Sequence, residues 1–323
     1  MALYQEREPI PEDTPVRVID YEQSTYRTAF WRNADRRYED AAERLALRRM
    51  LPPTGRRIVD LGAGFGRLAD EYRRYEQVVL FDYSRSMLAQ AVERWGHDRR
   101  FVFVAGSVYA MPFVAHSMEV VVMVRVMHHL AEGLTALQEI DRVLQTGGTA
   151  VLEFANKRNL KSMLRHMWRG QAWSPYAPDP VEFAEMHFNF HPRWMQEQLG
   201  RTRLRREAAY SVSHLRLPAL QRLLPTGWLA QGDSLLFRPG GKYPLGPSVF
   251  LQTRRQGARR APVAAPGPDV AAADWLQCPL CRTATLTQPE TTALTCTQCE
   301  TAFRQEAGIW DFKTALPGES DRE

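Results

Sequence analysis

Three groups of residues in this 323-residue chain have the types and spacing to do chemistry. The first is Ile58-Val59-Asp60-Leu61-Gly62-Ala63-Gly64-Phe65-Gly66, an apolar strand running into an acidic residue and a glycine-alternating turn. Glycines there let the backbone turn tightly and approach a ligand closely, where Cβ atoms would collide. The second is Asp82, which closes the apolar run Gln77-Val78-Val79-Leu80-Phe81. A carboxylate at the end of a second strand suits the two hydroxyls of a ribose, because it accepts hydrogen bonds from both. The third is the pair of motifs Cys278-Pro-Leu-Cys281 and Cys296-Thr-Gln-Cys299, which hold all four cysteines of the chain. Two Cys-x-x-Cys pairs around a short hairpin-like span supply four thiolates in tetrahedral array, the arrangement of structural zinc. The alternative is two disulfides or redox dithiols, which a cytosolic chain disfavours.

Alternating strands and helices must carry the first two groups. Strands are predicted at 58–61, 77–82, 101–105, 119–124 and 149–154. A helical pattern, Arg67 to Tyr72, follows the glycine turn, and Ser84 or Ser86 caps the next helix. Leu134, Leu137, Ile140 and Leu144 line one face of a further helix, which a basic last turn and Gly147-Gly148 bring to a stop. Strands alternating with helices imply a mostly parallel sheet.

This succession resembles the class I S-adenosylmethionine-dependent methyltransferases, in particular the branch of quinone-biosynthesis and small-molecule enzymes, over roughly residues 38 to 155. Met111-Pro112-Phe113 and Arg142-Val143-Leu144-x-x-Gly147-Gly148 belong to the same pattern. A nicotinamide-binding domain fits worse, because its Gly-x-Gly-x-x-Gly turn places the third glycine one residue later. The resemblance implies an α/β fold with a Rossmann-like, seven-stranded methyltransferase sheet. It also implies that S-adenosylmethionine lies against Gly62, Gly64 and Gly66, with its ribose on Asp82. Asp60 would orient the loop or receive the amino group. Ser107 and Val108 would face the adenine, where the family usually has Gly-Asp-Ala. A serine keeps a hydroxyl for the exocyclic amine but loses the charge-assisted bond.

Methyl transfer from a sulfonium asks the protein to align donor and acceptor, exclude water and leave the acceptor deprotonated. No general base is marked. Histidine ordinarily titrates near neutrality, which makes His128 and His129 candidates, as is Arg125, which suits a cofactor carboxylate or a substrate anion. His187 and His191 read as packed loop residues. The Asn-Pro-Pro-Tyr motif of amino methylases is absent.

The apolar fraction of 44% is that of a soluble globular protein, and no apolar run approaches the roughly 20 residues of a membrane span. The start lacks a signal-peptide pattern, so the cytoplasm is the expected compartment. The net charge of +5 comes almost wholly from scattered arginine, which reads as a solvated surface. Lys157-Arg158-Asn159-Leu160-Lys161 with Arg165 and Arg169 is the one concentrated basic segment.

The expected organisation is an N-terminal extension and helix over 1–50, with Tyr4, Tyr21 and Tyr26 in its polar first part, and a methyltransferase domain over 51–255. An aromatic lid insertion occupies about 156–191, followed by an Ala/Pro-rich linker over 256–273 that sets the second module apart. That module, a small C-terminal zinc ribbon over 274–313, precedes a polar tail over 314–323. A helix is expected at 192–199, closing strands at 204–212 and 247–253, and a short helical insert at 217–228. The ending Gly308-Ile309-Trp310-Asp311-Phe312 resembles a zinc-ribbon family that includes the activator subunit of methyltransferases of tRNA, rRNA and release factors. The leading functional expectation is methylation of a small-molecule or lipid-like acceptor. The alternatives are a translation-machinery enzyme with a built-in activator, for which RNA is a partner, and a non-catalytic interaction protein. A closed apolar pocket favours the first; a basic groove joining Lys157–Arg169 to the ribbon favours the second.

Overall fold

The computed structural model describes residues 17, 22, 36–168, 170–258, 270–283 and 286–316. The tyrosines expected in the N-terminal extension, Arg169, most of the linker and the end of the tail lie outside these residues.

Helix α1 (Arg37–Met50) carries Tyr38, Ala42, Ala46, Leu47 and Met50 on its buried face and ends before the proline pair. Strands β1 (Gly55–Leu61), β2 (Tyr75–Asp82), β3 (Phe101–Ala105) and β4 (Met118–Met123) are almost wholly buried, as parallel strands covered on both faces must be. Helix α2 (Arg85–Trp95) lies between β2 and β3, with Ser84 as its cap, accepting from the Met87 amide. Helix α3 (Gly133–Val143) precedes β5 (Leu144–Ala155), which starts at once, so the glycine pair falls inside the strand, where its pairing with β4 is irregular, rather than directly at the helix end. The lid holds helix α4 (Leu160–Met167) and a hairpin of β6 (Val181–Ala184) and β7 (His187–Asn189). Then come α5 (Pro192–Gly200), β8 (Leu204–Val212), α6 (Pro218–Leu223), α7 (Thr226–Lys242) and β9 (Ser248–Arg255).

The order β3-β2-β1-β4-β5-β9-β8 is a doubly wound sheet in which β9 alone runs antiparallel to its neighbours. Such a sheet binds ligands beyond the carboxyl ends of its strands, where the order reverses between β1 and β4. Apolar cores lie on both faces, one built on α3 and α5, the other on α1, α2 and α7.

Two elements differ from the sequence reading. The segment after the glycine turn forms only a single 3-10 turn, Ala69–Tyr72. Only a short span separates β1 from β2, and Arg67 and Glu71 are drawn sideways into ion pairs with Glu43 and Arg44 of α1, both 3.0 Å. The expected short insert is instead two helices, α7 being 17 residues long and packed on α1 and β8.

The four strands β10 (Leu286–Glu290), β11 (Ala293–Cys296), β12 (Ala302–Glu306) and β13 (Ile309–Leu316) form an antiparallel ribbon. It is no separate layer. β13 pairs in parallel with β3, Ile309 opposite Phe103 and Asp311 opposite Ala105, so the sheet reaches 11 strands. Trp275, just ahead of the first cysteine pair, is buried between the Phe113 ring (centroids 6.0 Å apart) and the Arg57 guanidinium (4.6 Å).

Candidate functional site

Gly62, Gly64 and Gly66 all have left-handed backbones, with φ of 69°, 54° and 72°. A side chain at Gly62 would overlap Val126 at the end of β4, and one at Gly66 would lie 3.0 Å from the Trp95 indole. Packing therefore demands glycine at both. At Gly64 a Cβ would meet only the Met87 methyl, at 3.2 Å, so this residue keeps a cradle open that any side chain would fill. Its amide donates to Asp82 Oδ2 (2.7 Å), while Asp82 Oδ1 accepts from the Ser84 amide (2.8 Å). One carboxylate thus ties the turn after β1 to the start of α2.

The Gly106 amide donates to the Asp82 carbonyl (3.1 Å), which brings the half-buried Ser107 and Val108 to the same rim. The Ser107 hydroxyl oxygen accepts from the Tyr109 amide (3.3 Å) and keeps its hydrogen to donate. Asp60 is buried below the turn. Burial pushes its carboxyl up to about 7, the Tyr72 hydroxyl and Arg67 partly offset this, and the Asp82 charge adds to it. A cation brought beside it would hold it ionised. An open glycine cradle, a ribose-level carboxylate and a buried acid suit the methionine and ribose parts of S-adenosylmethionine.

Two residues ahead of α1 bracket this cleft. Glu22 accepts from the Arg85 and Ser86 amides, both 2.9 Å, at the start of α2, where the helix dipole favours a carboxylate. Arg17 pairs with Glu182 of the lid hairpin (3.2 Å).

The candidates Arg125, His128 and His129 lie together beyond β4. Arg125 has φ 61°; its amide donates to Glu153 (2.9 Å), and its guanidinium is engaged by Glu43, which also holds Arg67. Burial works against the Glu43 charge, but Arg125 and Arg67 keep its carboxyl below the usual range. The His128 and His129 rings lie 3.9 Å apart at a tilt of 45°, and His187 from the lid meets His129 edge-on at 4.8 Å. Burial drives His128 well below its ordinary value and His129 down to about 4, while His129 Nδ1 bonds the Met186 carbonyl (3.1 Å). Both are neutral at pH 7, and both are weak bases.

Beyond the carboxyl ends of β5 and β8 lies a cavity of about 1190 Å³. Leu164, Trp168, Trp173, Phe183, Leu217 and Leu236 give it apolar walls, and Ser213, His214 and Arg216 a polar floor. Arg216 reaches Glu39 of α1 (3.5 Å), and thereby the charged cluster around Arg125. Fully buried Asp233 of α7 accepts from the Ser213 amide (2.8 Å), the His214 amide (3.0 Å) and His214 Nδ1 (2.7 Å). That arrangement fixes the ring with Nδ1 as donor and leaves Nε2 as its basic atom. Sequence reasoning missed this pair. Lys157, from the basic segment, is committed to the lid, donating to the Ala177 (3.1 Å) and Asp179 (2.6 Å) carbonyls.

The four cysteine sulfurs lie within 4.8 Å of one another, with Cys278–Cys299, Cys281–Cys296 and Cys281–Cys299 at 3.7, 3.4 and 3.5 Å. Zinc–sulfur bonds of about 2.3 Å place tetrahedral sulfurs about 3.8 Å apart, so the donor set fits zinc. The Thr283 and Thr301 hydroxyls, 3.5 and 3.2 Å from Cys281 and Cys299, are placed to donate to thiolates. Burial opposes ionisation of Cys296, but the Cys299 and Gln298 amides help pull it down to about 6.

Comparison with known proteins agrees with this geometry. The family described as a methyltransferase domain matches residues 59–152. The chain is 30% identical over 148 residues to a malonyl-(acyl-carrier protein) O-methyltransferase of Legionella pneumophila, covering 45% of this chain and 50% of the relative. It is 33% identical over 94 residues to a demethylmenaquinone methyltransferase of Chlamydia felis, covering 28% and 40%. The chain thus spans about half or less of the length of these curated relatives. A solved methyltransferase of Thermotoga maritima, described as a possible histamine N-methyltransferase, shares the fold at a TM-score of 0.50 and 15% identity, over 73% of this chain and 98% of the other. Residues 59–152 thus match a methyltransferase domain, and the chain has the α/β fold of that solved methyltransferase.

Proposed function

We propose that this protein transfers a methyl group from S-adenosylmethionine to a small-molecule or lipid-like acceptor. The observation that carries the acceptor class is the cavity of about 1190 Å³, apolar in its walls and polar in its floor, at the carboxyl end of the sheet. When bound, S-adenosylmethionine supplies an electrophilic methyl on a sulfonium.

The chain's own residues do the rest. Asp82 holds the ribose hydroxyls, Gly62, Gly64 and Gly66 let the backbone close on the methionine part, and Asp60 meets the amino group. Ser107 and Val108 face the adenine. The apolar cavity walls exclude water and hold the acceptor in line. His214, aligned by Asp233, accepts the acceptor proton at Nε2. Arg125 shapes the floor by fixing Glu43 rather than by touching substrate. Cys278, Cys281, Cys296 and Cys299 hold zinc, which fixes the ribbon that β13 joins to β3.

The translation-machinery reading receives less support. The ribbon joins the sheet at β3, while the basic segment follows β5, with β3, β2, β1 and β4 between them. The test is methyl transfer from labelled S-adenosylmethionine to a panel of apolar acids, quinols and acyl-carrier conjugates, with tRNA and rRNA alongside. Label in the apolar acceptors supports the proposal; label in RNA alone overturns it.

A further inference from the structure

The elements that line the cavity also carry large apolar side chains exposed to solvent. Trp168 of the lid, Leu223 of α6, and Trp228 and Leu235 of α7 are 72%, 79%, 73% and 78% exposed. On α7 the exposed residues Trp228, Leu235, Arg238 and Lys242 recur at helical spacing, opposite the face that buries Leu229, Ala230, Asp233 and Phe237. Leu236, from the same helix, lines the cavity itself. Helix α7 therefore contributes both to the exposed stripe and to the cavity wall.

The exposed charge of these segments is basic. Segments 156–178 and 213–247 contain nine Lys and Arg in sequence but one carboxylate, Asp233, which is fully buried; among the described residues Lys161, Arg165, Arg222, Arg238 and Lys242 are exposed. The whole chain has 42 Lys and Arg against 37 Asp and Glu, so the remainder is net acidic. A helix with Trp and Leu outward and Arg and Lys beside them is the composition of an interfacial helix lying in a headgroup layer. Each basic residue near an anionic leaflet strengthens binding by about fivefold.

We infer that this face docks on an anionic lipid surface and opens the cavity toward the bilayer. Among the described residues no helix is long and apolar enough to cross a membrane, so the contact is peripheral. Nucleic acid accounts for the basic residues but not for Leu223 and Leu235, which offer nothing to bases or phosphates. A second copy on this face would bring two sets of like charges together. Docking rests on the lipid-like acceptor reading only for its purpose, since vesicle binding needs no methyl transfer.

The test is co-sedimentation of the full chain with vesicles of phosphatidylcholine, alone or with one-third phosphatidylglycerol. The protein sediments with the anionic vesicles and much less with the neutral ones. W228A/L235A weakens binding by at least about tenfold, and R238E/K242E removes the preference for anionic lipid. None of these four residues lines the cavity, and unchanged thermal melting shows that the variants fold. A third variant, R94E on the far side of the cofactor cleft, binds as the wild type does. The inference is overturned if anionic vesicles leave the protein in solution, or if W228A/L235A binds them undiminished. It is overturned equally if sedimentation velocity shows a dimer that W228A/L235A dissolves, or if total tRNA binds through Trp228 and displaces the vesicles.

Discussion

Replacing Gly62 with alanine tests the architecture of the cofactor cleft at its tightest point. The backbone there has φ 69°, and the added Cβ would overlap Val126 Cγ2, with Val126 Cβ and Cγ1 each 3.3 Å away. Two costs follow. The left-handed conformation costs an alanine about 1–2 kcal/mol. Crowding against a β-branched side chain that cannot rotate freely adds about 1–3 kcal/mol. For a chain of this length, an unfolding entropy of about 2.1 cal/mol/K per residue converts 1 kcal/mol into about 1.5 °C. Gly62→Ala therefore lowers the melting midpoint by about 3–7 °C. The steric part resides in Val126, so Val126→Ala in the same chain restores some of the loss, leaving the conformational part. A double-mutant cycle read by thermal melting measures a favourable coupling of about 1–3 kcal/mol. Additivity within about 0.5 kcal/mol would refute the reasoning, because it would mean that the turn does not rest on β4.

Other perturbations read the remaining parts of the account. His129 has a folded value near 4, below its unfolded value near 6.5, and His128 is shifted the same way. The unfolded chain binds these protons first, so stability is complete above about pH 6.5 and falls as the pH drops toward 4. Melting midpoints across that range show the slope, and His129→Asn flattens it; an unchanged slope removes the histidine pair from the explanation. His214→Ala and Asp233→Asn leave S-adenosylmethionine affinity intact but lower kcat, by about 10²-fold or more for His214 if it accepts the proton. Full turnover in His214→Ala would show that the acceptor needs no base there. Elemental analysis is expected to find one zinc per chain, lost in Cys281→Ser, with a lower melting midpoint because β13 is part of the main sheet. Oxidised thiols without metal would end the zinc reading.

What could be read from the sequence was what local chemistry dictates. The glycine turn, Asp82 and the paired cysteines are short-range patterns in which backbone conformation or ligand geometry fixes the residue type. The strands of the parallel sheet were equally legible, because burial on both faces leaves continuous apolar runs. Helix α7 was not. Gly227, Gly232, Pro239, Gly240 and Gly241 argue against a helix, yet packing on α1 and β8 overrides them. Gly240 and Gly241 are there because the helix end lies against β8, where a Cβ on Gly240 would sit 2.7 Å from Ser211 Cβ. Long-range pairs were invisible for a different reason. Glu43 and Arg125 are 82 residues apart, and His214, in the turn after β8, is separated from Asp233 of α7 by the whole of α6. Neither pair leaves a spacing to recognise. The ribbon's composition announced a cluster of four thiols, but its docking on β3 is a backbone pairing that no side-chain pattern specifies.

The most direct measurement is calorimetric titration of S-adenosylmethionine into the wild type, Asp82→Asn and Asp82→Ala. The account predicts saturable 1:1 binding by the wild type. Loss of charge-assisted bonds to the ribose, worth about 1.5–3 kcal/mol, weakens Asp82→Ala roughly 10- to 150-fold, with Asp82→Asn between the two. No binding by a folded wild-type protein, or equal affinity in all three, would contradict it.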